Sequence, residues 1–282
     1  ALFTALLGIL NPGEEVVIPT PGFGLYQSIA AIAGAKPVFL DVTTTGFQIT
    51  KEALDGVITP KTKAIVINSP CNPTGVILNK ESLAAVKAAI LGKPIFLICD
   101  NVYHDLHYSP CPDLSCDPQL KDQLLLCQSF SKPWAMTGWR IGYLTCPQYV
   151  MERLLLLSAA NIAAVPTFVQ SAAVTALKTP VEPMREIYRR RRDYVTDRLH
   201  RMGLEFPQPE GAFYVFADIR RFGMDSATFC TRMIREGKLA AVPGSCFGTE
   251  GYIRLSYCCS DAQLEIGMDR LEKFITHLAS EK

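Results

Sequence analysis

Residues 124–145 read LLLCQSFSKPWAMTGWRIGYLT and contain two apolar runs, 124–129 and 141–145, on either side of a segment that contains Ser131, Pro133 and Gly138. Short apolar runs bounded by such residues are typical of strands buried in a sheet. Lys132 stands just after the end of the first run. Because open α/β sheets bind their ligands at the carboxyl ends of the strands, this stretch predicts an α/β sheet with a lysine at its ligand-binding edge.

Apolar runs and helical patterns alternate through the first two thirds of the chain. Further strands are predicted at 15–19, 37–40, 64–68 and 95–100, and helices at 25–33, 50–57 and 80–91. Nearly continuous apolar strands separated by helices indicate a mostly parallel sheet covered by helices on both faces. The predicted fold class is therefore α/β.

The pattern changes after residue 150, where long helices precede a shorter mixed region. Helices are predicted at 152–160, 168–177, 183–202, 226–236 and 261–278, and strands at 212–216, 239–242 and 252–257. We therefore predict a large α/β domain over residues 1–179 and a smaller α+β domain over residues 180–282.

Composition and charge exclude several classes of protein. Of the 282 residues, 49% are hydrophobic and 20% are charged, close to the averages of globular proteins, which gives no support to a membrane-embedded protein. Lys and Arg number 28 against 27 Asp and Glu, so the charge balance does not favour nucleic-acid binding. The arginine run at 189–192 lies in a helical pattern with Glu186 and Asp193 spaced to pair with it, which indicates a solvated helix face.

The ten cysteines are scattered along the chain without a C-x-x-C pair. This spacing predicts neither a disulfide framework nor a metal site. We expect reduced cysteines that act as small hydrophobes in a cytoplasmic protein.

Lys132 has neighbours suited to a phosphorylated ligand. Ser129 and Ser131 offer hydroxyls, and Arg140 offers a fork of donors that matches a phosphate. A lysine amine among phosphate-binding groups suggests a Schiff base to a phosphorylated aldehyde. Taken alone, Lys132 is equally compatible with a surface lysine in the loop before Pro133.

Three other segments carry polar groups at positions that a site could use. Residues 69–75, SPCNPTG, follow a predicted strand and also fit a simple tight turn. Asp100 ends the most apolar strand, where it fits either a helix N-cap or the partner of a pyridinium nitrogen. Arg254 lies in the middle of a predicted strand, where its charge needs a ligand or an ion pair with the chain's own carboxylates.

These four segments, in this order and with these spacings, resemble those of the class I and II aminotransferases, pyridoxal-phosphate enzymes of fold type I. The shared motifs are N-P-T-G at 72–75, D-x-x-Y at 100–103, S-x-S-K followed by M-T-G-W-R-I-G-Y within 129–143, and I-R-L-S-Y at 253–257. Segments 11–23 and 242–248 also resemble the family, so the similarity covers essentially the whole chain. It is closest to the branch with bacterial aspartate, aromatic and alanine-type transaminases.

The resemblance implies roles for the residues around the cofactor ring. Lys132 would form the Schiff base with pyridoxal phosphate and later shuttle the substrate proton. Asp100 would pair with the pyridine N–H, and Tyr103 and Asn72 would hydrogen-bond the 3′ oxygen. Phe23 would lie against the ring face, where the alternative is ordinary core packing.

The same resemblance implies roles at the two charged ends of the ligand. Ser129, Ser131 and Arg140 would bind the phosphate. Arg254 would bind the substrate α-carboxylate as a bidentate pair, with Asn72 beside it. No metal ion is expected in the site.

The resemblance implies transfer of an amino group from an L-amino acid to a 2-oxo acid by a ping-pong cycle. The expected acceptor is 2-oxoglutarate, and the expected oligomeric state is a homodimer. A C–S lyase of the same fold and a non-catalytic transaminase-like module remain open. Residues 158–165 lack the arginine with which some dicarboxylate-specific relatives bind the distal carboxylate, so a broad or neutral-to-aromatic range is equally open.

The sequence also departs from the family pattern. Ala1 enters an apolar, helix-like run, 1–10, with no capping residue before it, and we expect a missing N-terminal segment with part of the small domain and a phosphate-binding turn. Asn101, Ala163 and Ala164 stand where the family often has other residues, and the sequence assigns them no role.

Overall fold

The computed structural model describes residues 1–280 and contains a six-stranded and a three-stranded sheet. The large sheet consists of β1 (Glu15–Thr20), β2 (Lys36–Asp41), β3 (Thr62–Asn68), β4 (Phe96–Asp100), β5 (Leu124–Ser129) and β6 (Gly142–Thr145), in the spatial order β2-β1-β3-β4-β5-β6. The first five strands are parallel, and β6 pairs antiparallel with β5. The predicted mostly parallel sheet is confirmed.

Helices cover both faces of this sheet. On one side lie α1 (Leu2–Ile9), α2 (Leu25–Ile32) and α5 (Gln148–Ile162), and on the other lie α3 (Lys51–Val57) and α4 (Lys80–Ile90). Successive side chains of a strand point to opposite faces, so Val66 packs with the first group and Ile65 with the second. Strands buried on both faces explain why the sequence shows continuous apolar runs rather than alternation.

The strand order places a switch point between β1 and β3. The chain runs from β1 outward to β2 and then crosses to β3 on the other side of β1. Connections that leave in opposite directions open a crevice at the carboxyl ends of the strands, which is where such sheets bind ligands. The loops after β1, β3, β4 and β5 all begin at this edge.

The second sheet consists of β7 (Tyr214–Asp218), β8 (Val242–Pro243) and β9 (Tyr252–Ser256), in the antiparallel order β7-β9-β8. It packs with α7 (Glu182–Arg201), α8 (Ser226–Arg235) and α9 (Asp261–Ser280). The expected strand at 239–242 is wrong in extent, because Leu239 turns back to donate its backbone N–H to the Met233 carbonyl at 3.3 Å. Only Val242 and Pro243 pair with β9.

The division into domains at residue 179 stays a prediction. The proposed boundary falls between α6 (Thr167–Leu177) and α7. Tyr103 and Leu106, from the loop after β4, pack in the same hydrophobic cluster as residues of the second sheet such as Val215. Residues 281–282 of the predicted small domain lie outside the described residues.

The arginine run of α7 makes ion pairs within the described chain. Arg189 contacts Glu186 at 2.7 Å and Asp193 at 3.3 Å, as the helical spacing predicted. Arg191 and Arg192 are less exposed than a solvated face implies, because Arg191 pairs with Asp261 of α9 at 2.6 Å and Arg192 lies over the Tyr108 ring. Arg191 thus joins α7 to α9, and Arg192 joins α7 to the loop that carries Tyr108.

Other features of the described residues concern cysteines, metals and membranes. All ten cysteines are free. Within residues 1–280, no cluster of three or more His, Cys, Asp or Glu side chains has a geometry that could hold a metal ion. None of the helices in this range is both long and apolar enough to cross a bilayer.

Gly75 connects the loop after β3 of the large sheet to the loop before β7 of the second sheet. It has φ +73°, and its carbonyl accepts hydrogen bonds from the backbone N–H groups of Glu210 and Gly211 at 2.8 and 2.9 Å. A Cβ at this position would lie 2.8 Å from the Cβ of Pro209. The turn at 72–75 therefore needs glycine both for its left-handed backbone and for close contact with the loop that leads to β7.

Replacing Gly75 tests this contact. Gly75→Ala is expected to lower the free energy of unfolding by about 1–3 kcal/mol, because it adds backbone strain and a clash. Urea unfolding followed by circular dichroism measures the change. Gly56→Ala, in α3 where an added Cβ meets no atom within 4 Å, is the matched control and should be neutral or stabilising. Equal stability losses in the two variants would contradict the assignment.

Candidate active site

A cavity of about 430 Å³ lies between the carboxyl edge of the large sheet and the strands β7 and β9. All nine residues to which the sequence assigned a role line this single cavity: Phe23, Asn72, Asp100, Tyr103, Ser129, Ser131, Lys132, Arg140 and Arg254. They come from the last residues of β4 and β5, from the loops that follow β1, β3, β4 and β5, and from the middle of β9. The fold thus brings together residues that are up to 231 positions apart in the sequence.

Lys132 is half-buried and lines the cavity, which disfavours the alternative of a surface lysine. Its Nζ lies 5.9 Å from the centre of the Tyr103 ring and 5.7 Å from that of Phe213. Burial lowers the pKa of Lys132, and the charges of Arg254 and Arg140 lower it further. A larger neutral fraction makes the amine a better nucleophile at neutral pH.

Asp100 is buried at the end of β4, and its carboxylate accepts a hydrogen bond from the Tyr26 hydroxyl at 2.6 Å. Burial raises the pKa of Asp100 to about 6, whereas the Tyr26 hydrogen bond and the Lys132 charge act in the opposite direction. The N-cap alternative is wrong, because the next helical turn, His104–Leu106, is preceded by Tyr103. A buried carboxylate with spare acceptor capacity fits a positively charged N–H donor.

Arg254 faces the cavity from β9 and donates from Nη1 to the Asn72 side-chain oxygen at 2.8 Å. Its guanidinium lies 4.4 Å from the centre of the Tyr214 ring and 5.0 Å from that of Phe247. Its buried Nε has no hydrogen-bond partner, and no carboxylate among residues 1–280 forms an ion pair with Arg254. The structure therefore does not support the alternative of an internal ion pair. N–H donors of Arg254 stay available for an anionic ligand.

Ser129, Ser131 and Arg140 also line the cavity and are less buried than Asp100. The Ser129 hydroxyl accepts a hydrogen bond from the Ser131 backbone N–H at 3.1 Å. Arg140 is exposed, has φ +53°, and donates from Nη1 to the Thr137 carbonyl at 2.6 Å. A left-handed backbone is costly for arginine, and such strain is common at ligand-binding sites. The hydroxyls and the guanidinium form a donor set suited to a phosphate.

Phe23 lines the cavity with 36% of its surface exposed, so ordinary core packing does not describe it. Its ring meets that of Tyr26 edge to face, with centroids 5.8 Å apart. Asn101, which the sequence left without a role, is buried beside Asp100 and donates its backbone N–H to the Cys127 carbonyl at 3.0 Å.

Sequence reasoning missed two tyrosines of this cavity. Tyr26 binds Asp100, and the Tyr214 hydroxyl lies 2.7 Å from that of Tyr103. Both are buried and lie within apolar patterns that predicted only secondary structure. The partners are 74 and 111 residues away in the chain, so no local pattern could have indicated the contacts.

Comparison with known proteins places this cavity in a family. The profile of the family described as aminotransferase class I and II matches residues 1–271. The chain belongs to the class I and II aminotransferase family. The family and enzyme class that the motifs predicted are thereby confirmed.

Several members of the aminotransferase family are similar over nearly the whole chain. A Bacillus subtilis protein named "Probable N-acetyl-LL-diaminopimelate aminotransferase" is 40% identical over 98% of this chain and 71% of its own length. The aspartate aminotransferase of Musicola paradisiaca is 38% identical over 98% of this chain and 72% of its own. The crystal structure of the aromatic aminotransferase of Pyrococcus horikoshii matches with a TM-score of 0.94 and 38% identity, over 98% of this chain and 77% of that one.

The raised pKa of Asp100 predicts that the free energy of unfolding of the cofactor-free aminotransferase chain depends on pH. Because the folded pKa is about 6 and the model value is 3.8, the folded state holds this proton more tightly, and stability falls as the pH rises through this range. Asp100→Asn, which can still accept from Tyr26, should be about as stable as the native chain at pH 4 and up to about 3 kcal/mol more stable at pH 8. Urea unfolding at a series of pH values measures the difference.

Asp117→Asn is the control with the opposite sign. The hydrogen bond from Lys87 lowers the pKa of Asp117, so this variant should lose stability relative to the native chain as the pH rises from 3 to 6. The assignment fails if Asp100→Asn behaves like Asp117→Asn.

Proposed function

We propose that this protein is a pyridoxal-phosphate-dependent aminotransferase that moves an amino group from an L-amino acid to a 2-oxo acid, with 2-oxoglutarate as acceptor, by a ping-pong cycle. The observation that carries the proposal is the convergence of Lys132, Asp100 and Arg254 on one cavity. When bound, pyridoxal phosphate supplies an electron sink for the negative charge that develops at the substrate Cα. The names of the relatives, which include aspartate and aromatic aminotransferases, support the same reaction class.

The donor set of the cavity fits this cofactor. Asp100 would accept the pyridine N–H, and Tyr26 would hold the carboxylate in place. Ser129, Ser131 and Arg140 would bind the phosphate. One buried carboxylate, together with a separate set of phosphate donors, matches a ligand with a cationic nitrogen and an anionic arm.

The remaining residues would act on the other ring substituents. Tyr103 and Asn72 would hydrogen-bond the 3′ oxygen, and Phe23 would lie against the ring face. Lys132 would bind the cofactor through Nζ and, once the substrate displaces it, move a proton from the substrate Cα. Its lowered pKa supports both tasks, because each requires the neutral amine.

Arg254 and Asn72 would bind the substrate α-carboxylate. The buried Nε of Arg254 has no partner among the described residues, so a carboxylate arriving there would satisfy a donor that the fold leaves open. Residues 158–165 contain no arginine that could reach a second carboxylate. The proposal therefore covers both a dicarboxylic amino donor held by other groups and a broad or neutral-to-aromatic range of amino donors.

Lys132 provides the direct test. The native chain incubated with pyridoxal phosphate and then reduced with borohydride should carry a covalent adduct at Lys132 in peptide mass spectrometry. Lys132→Ala should lack that adduct and transfer amino groups at least about 10²–10⁴-fold more slowly, because it loses the group that moves the proton.

Lys121→Ala, at an exposed lysine in the loop before β5, is the matched control and should keep both properties. Full transfer by the Lys132→Ala variant would refute the proposal. Release of pyruvate and ammonia from cystathionine without any oxo-acid acceptor would instead support the C–S lyase.

We also propose a cytoplasmic homodimer. Helices α5 and α6 carry six exposed large apolar side chains, which we call the apolar face: Leu155, Leu156, Ile162, Phe168, Val174 and Leu177. Large exposed apolar surfaces mark interaction sites, and a second copy of this chain is a partner of matching character. The ten free cysteines support a reducing compartment.

A charge placed on this face tests the dimer. Leu156, with 76% of its surface exposed, should tolerate Glu in a monomer but not in an apolar interface, where the carboxylate would be buried without a partner. Leu156→Glu is therefore expected to shift sedimentation velocity from a dimer to a monomer. Ile266→Glu, at an equally apolar exposed position on α9, should remain dimeric. A native chain that sediments as a monomer would contradict the proposal.

A further inference from the structure

Tyr103 and Tyr214 form a buried pair between the two sheets. Their hydroxyl oxygens are 2.7 Å apart, and the side chains are 4% and 5% exposed. Tyr103 follows β4, whereas Tyr214 begins β7, so the hydrogen bond spans the junction on which the cavity lies. The rings meet edge to face with centroids 5.6 Å apart, which fixes both hydroxyls.

The number of protons determines the direction of this hydrogen bond in a loaded site. Each tyrosine hydroxyl carries one proton. If Tyr103 donates its proton to the cofactor's 3′ oxygen, it can only accept from Tyr214, and Tyr214 must then be the donor. A hydroxyl that accepts a hydrogen bond becomes a stronger donor, because successive hydrogen bonds polarise one another.

The ring of Tyr214 has a second contact. The guanidinium carbon of Arg254 lies 4.4 Å from its centroid, while Nη1 donates to Asn72. A cation over an aromatic face is attracted by the ring quadrupole, and the attraction restricts where the guanidinium can lie. One side chain therefore contacts both the residue assigned to the 3′ oxygen and the residue assigned to the α-carboxylate.

We propose that Tyr214 is a positioning residue of the amino-transfer site, whose hydroxyl directs that of Tyr103 toward the cofactor and whose ring holds the Arg254 guanidinium. This inference rests on the proposed function. It separates two contributions: the hydroxyl acts through Tyr103 on the cofactor, and the ring acts through Arg254 on the substrate.

Absorbance titration of the cofactor-loaded chain tests the hydroxyl. In Tyr214→Phe, Tyr103 becomes a weaker donor, negative charge on the 3′ oxygen is less stabilised, and the neighbouring nitrogen of Lys132 holds its proton more tightly. The pH midpoint of the visible absorbance change should therefore rise by about half to one unit. Tyr103→Phe, which removes the donor itself, should raise it more.

The double variant shows whether Tyr214 acts through Tyr103. In the Tyr103→Phe background, Tyr214→Phe should produce no further shift. Tyr108→Phe is the matched control: it removes another largely buried hydroxyl, bonded to the Ala212 carbonyl, and should leave the midpoint unchanged. An unchanged midpoint in Tyr214→Phe, or an equal shift in both backgrounds, would overturn the inference.

Steady-state kinetics tests the ring. Tyr214→Phe keeps the aromatic face and should change KM for the amino acid by less than about twofold, whereas Tyr214→Leu should raise KM by about 3- to 30-fold. Equal KM values for the two variants would overturn this part. A native chain that shows no cofactor absorbance would instead contradict the proposed function itself, so the two failures are distinguishable.

Discussion

The carboxyl ends of the parallel strands meet at one edge of the large sheet, and most of the side chains that line the cavity depend on that constraint. Asn68, Asp100 and Ser129 are the last residues of β3, β4 and β5, which are neighbours in the spatial order. Hydrogen-bonded pairing aligns Asn68 with Asp100 and places the end of β5 beside them. Residues that are about thirty positions apart in sequence thus stand one strand spacing apart. The second sheet then closes the crevice from the opposite side and adds Arg254 and Tyr214.

The motifs predicted which residues come together around one cavity, because each motif is a short continuous segment of the chain. Lys132 and Asn72 follow an apolar strand and Asp100 ends one, and that pattern is enough to place them at the ligand edge. The position of Arg254 in a strand indicated a charge in need of a partner, but only the fold shows that Asn72 and two aromatic rings surround it. Sequence therefore identified the residues that carry charge, whereas the geometry between them required the structure.

What sequence could not predict are contacts between apolar-looking positions of distant elements. Tyr26 and Tyr214 read as core residues of a helix and a strand, and burial confirms that they are. Their hydroxyls nevertheless decide how Asp100 and Tyr103 are held. The strand expected at 239–242 failed for a related reason, since the apolar run packs as a loop whose backbone turns back to α8. An apolar sequence pattern indicates that a segment is buried, but burial alone does not determine which strand it pairs with.

The cavity carries unfavourable electrostatics that the rest of the fold must offset. Burial raises the pKa of Asp100 and lowers that of Lys132, and the buried Nε of Arg254 has no hydrogen-bond partner within residues 1–280. Each feature lowers the stability of the free chain, because a buried charge or donor without a partner costs free energy. Each is also complementary to one part of a ligand that has a cationic nitrogen, a carbonyl carbon or a carboxylate. A ligand that binds only the folded state raises the free energy of unfolding. The groups that lower the stability of the ligand-free chain are therefore the same groups that increase its affinity for such a ligand. The packed cores on both faces of the large sheet provide the stability that permits such a site.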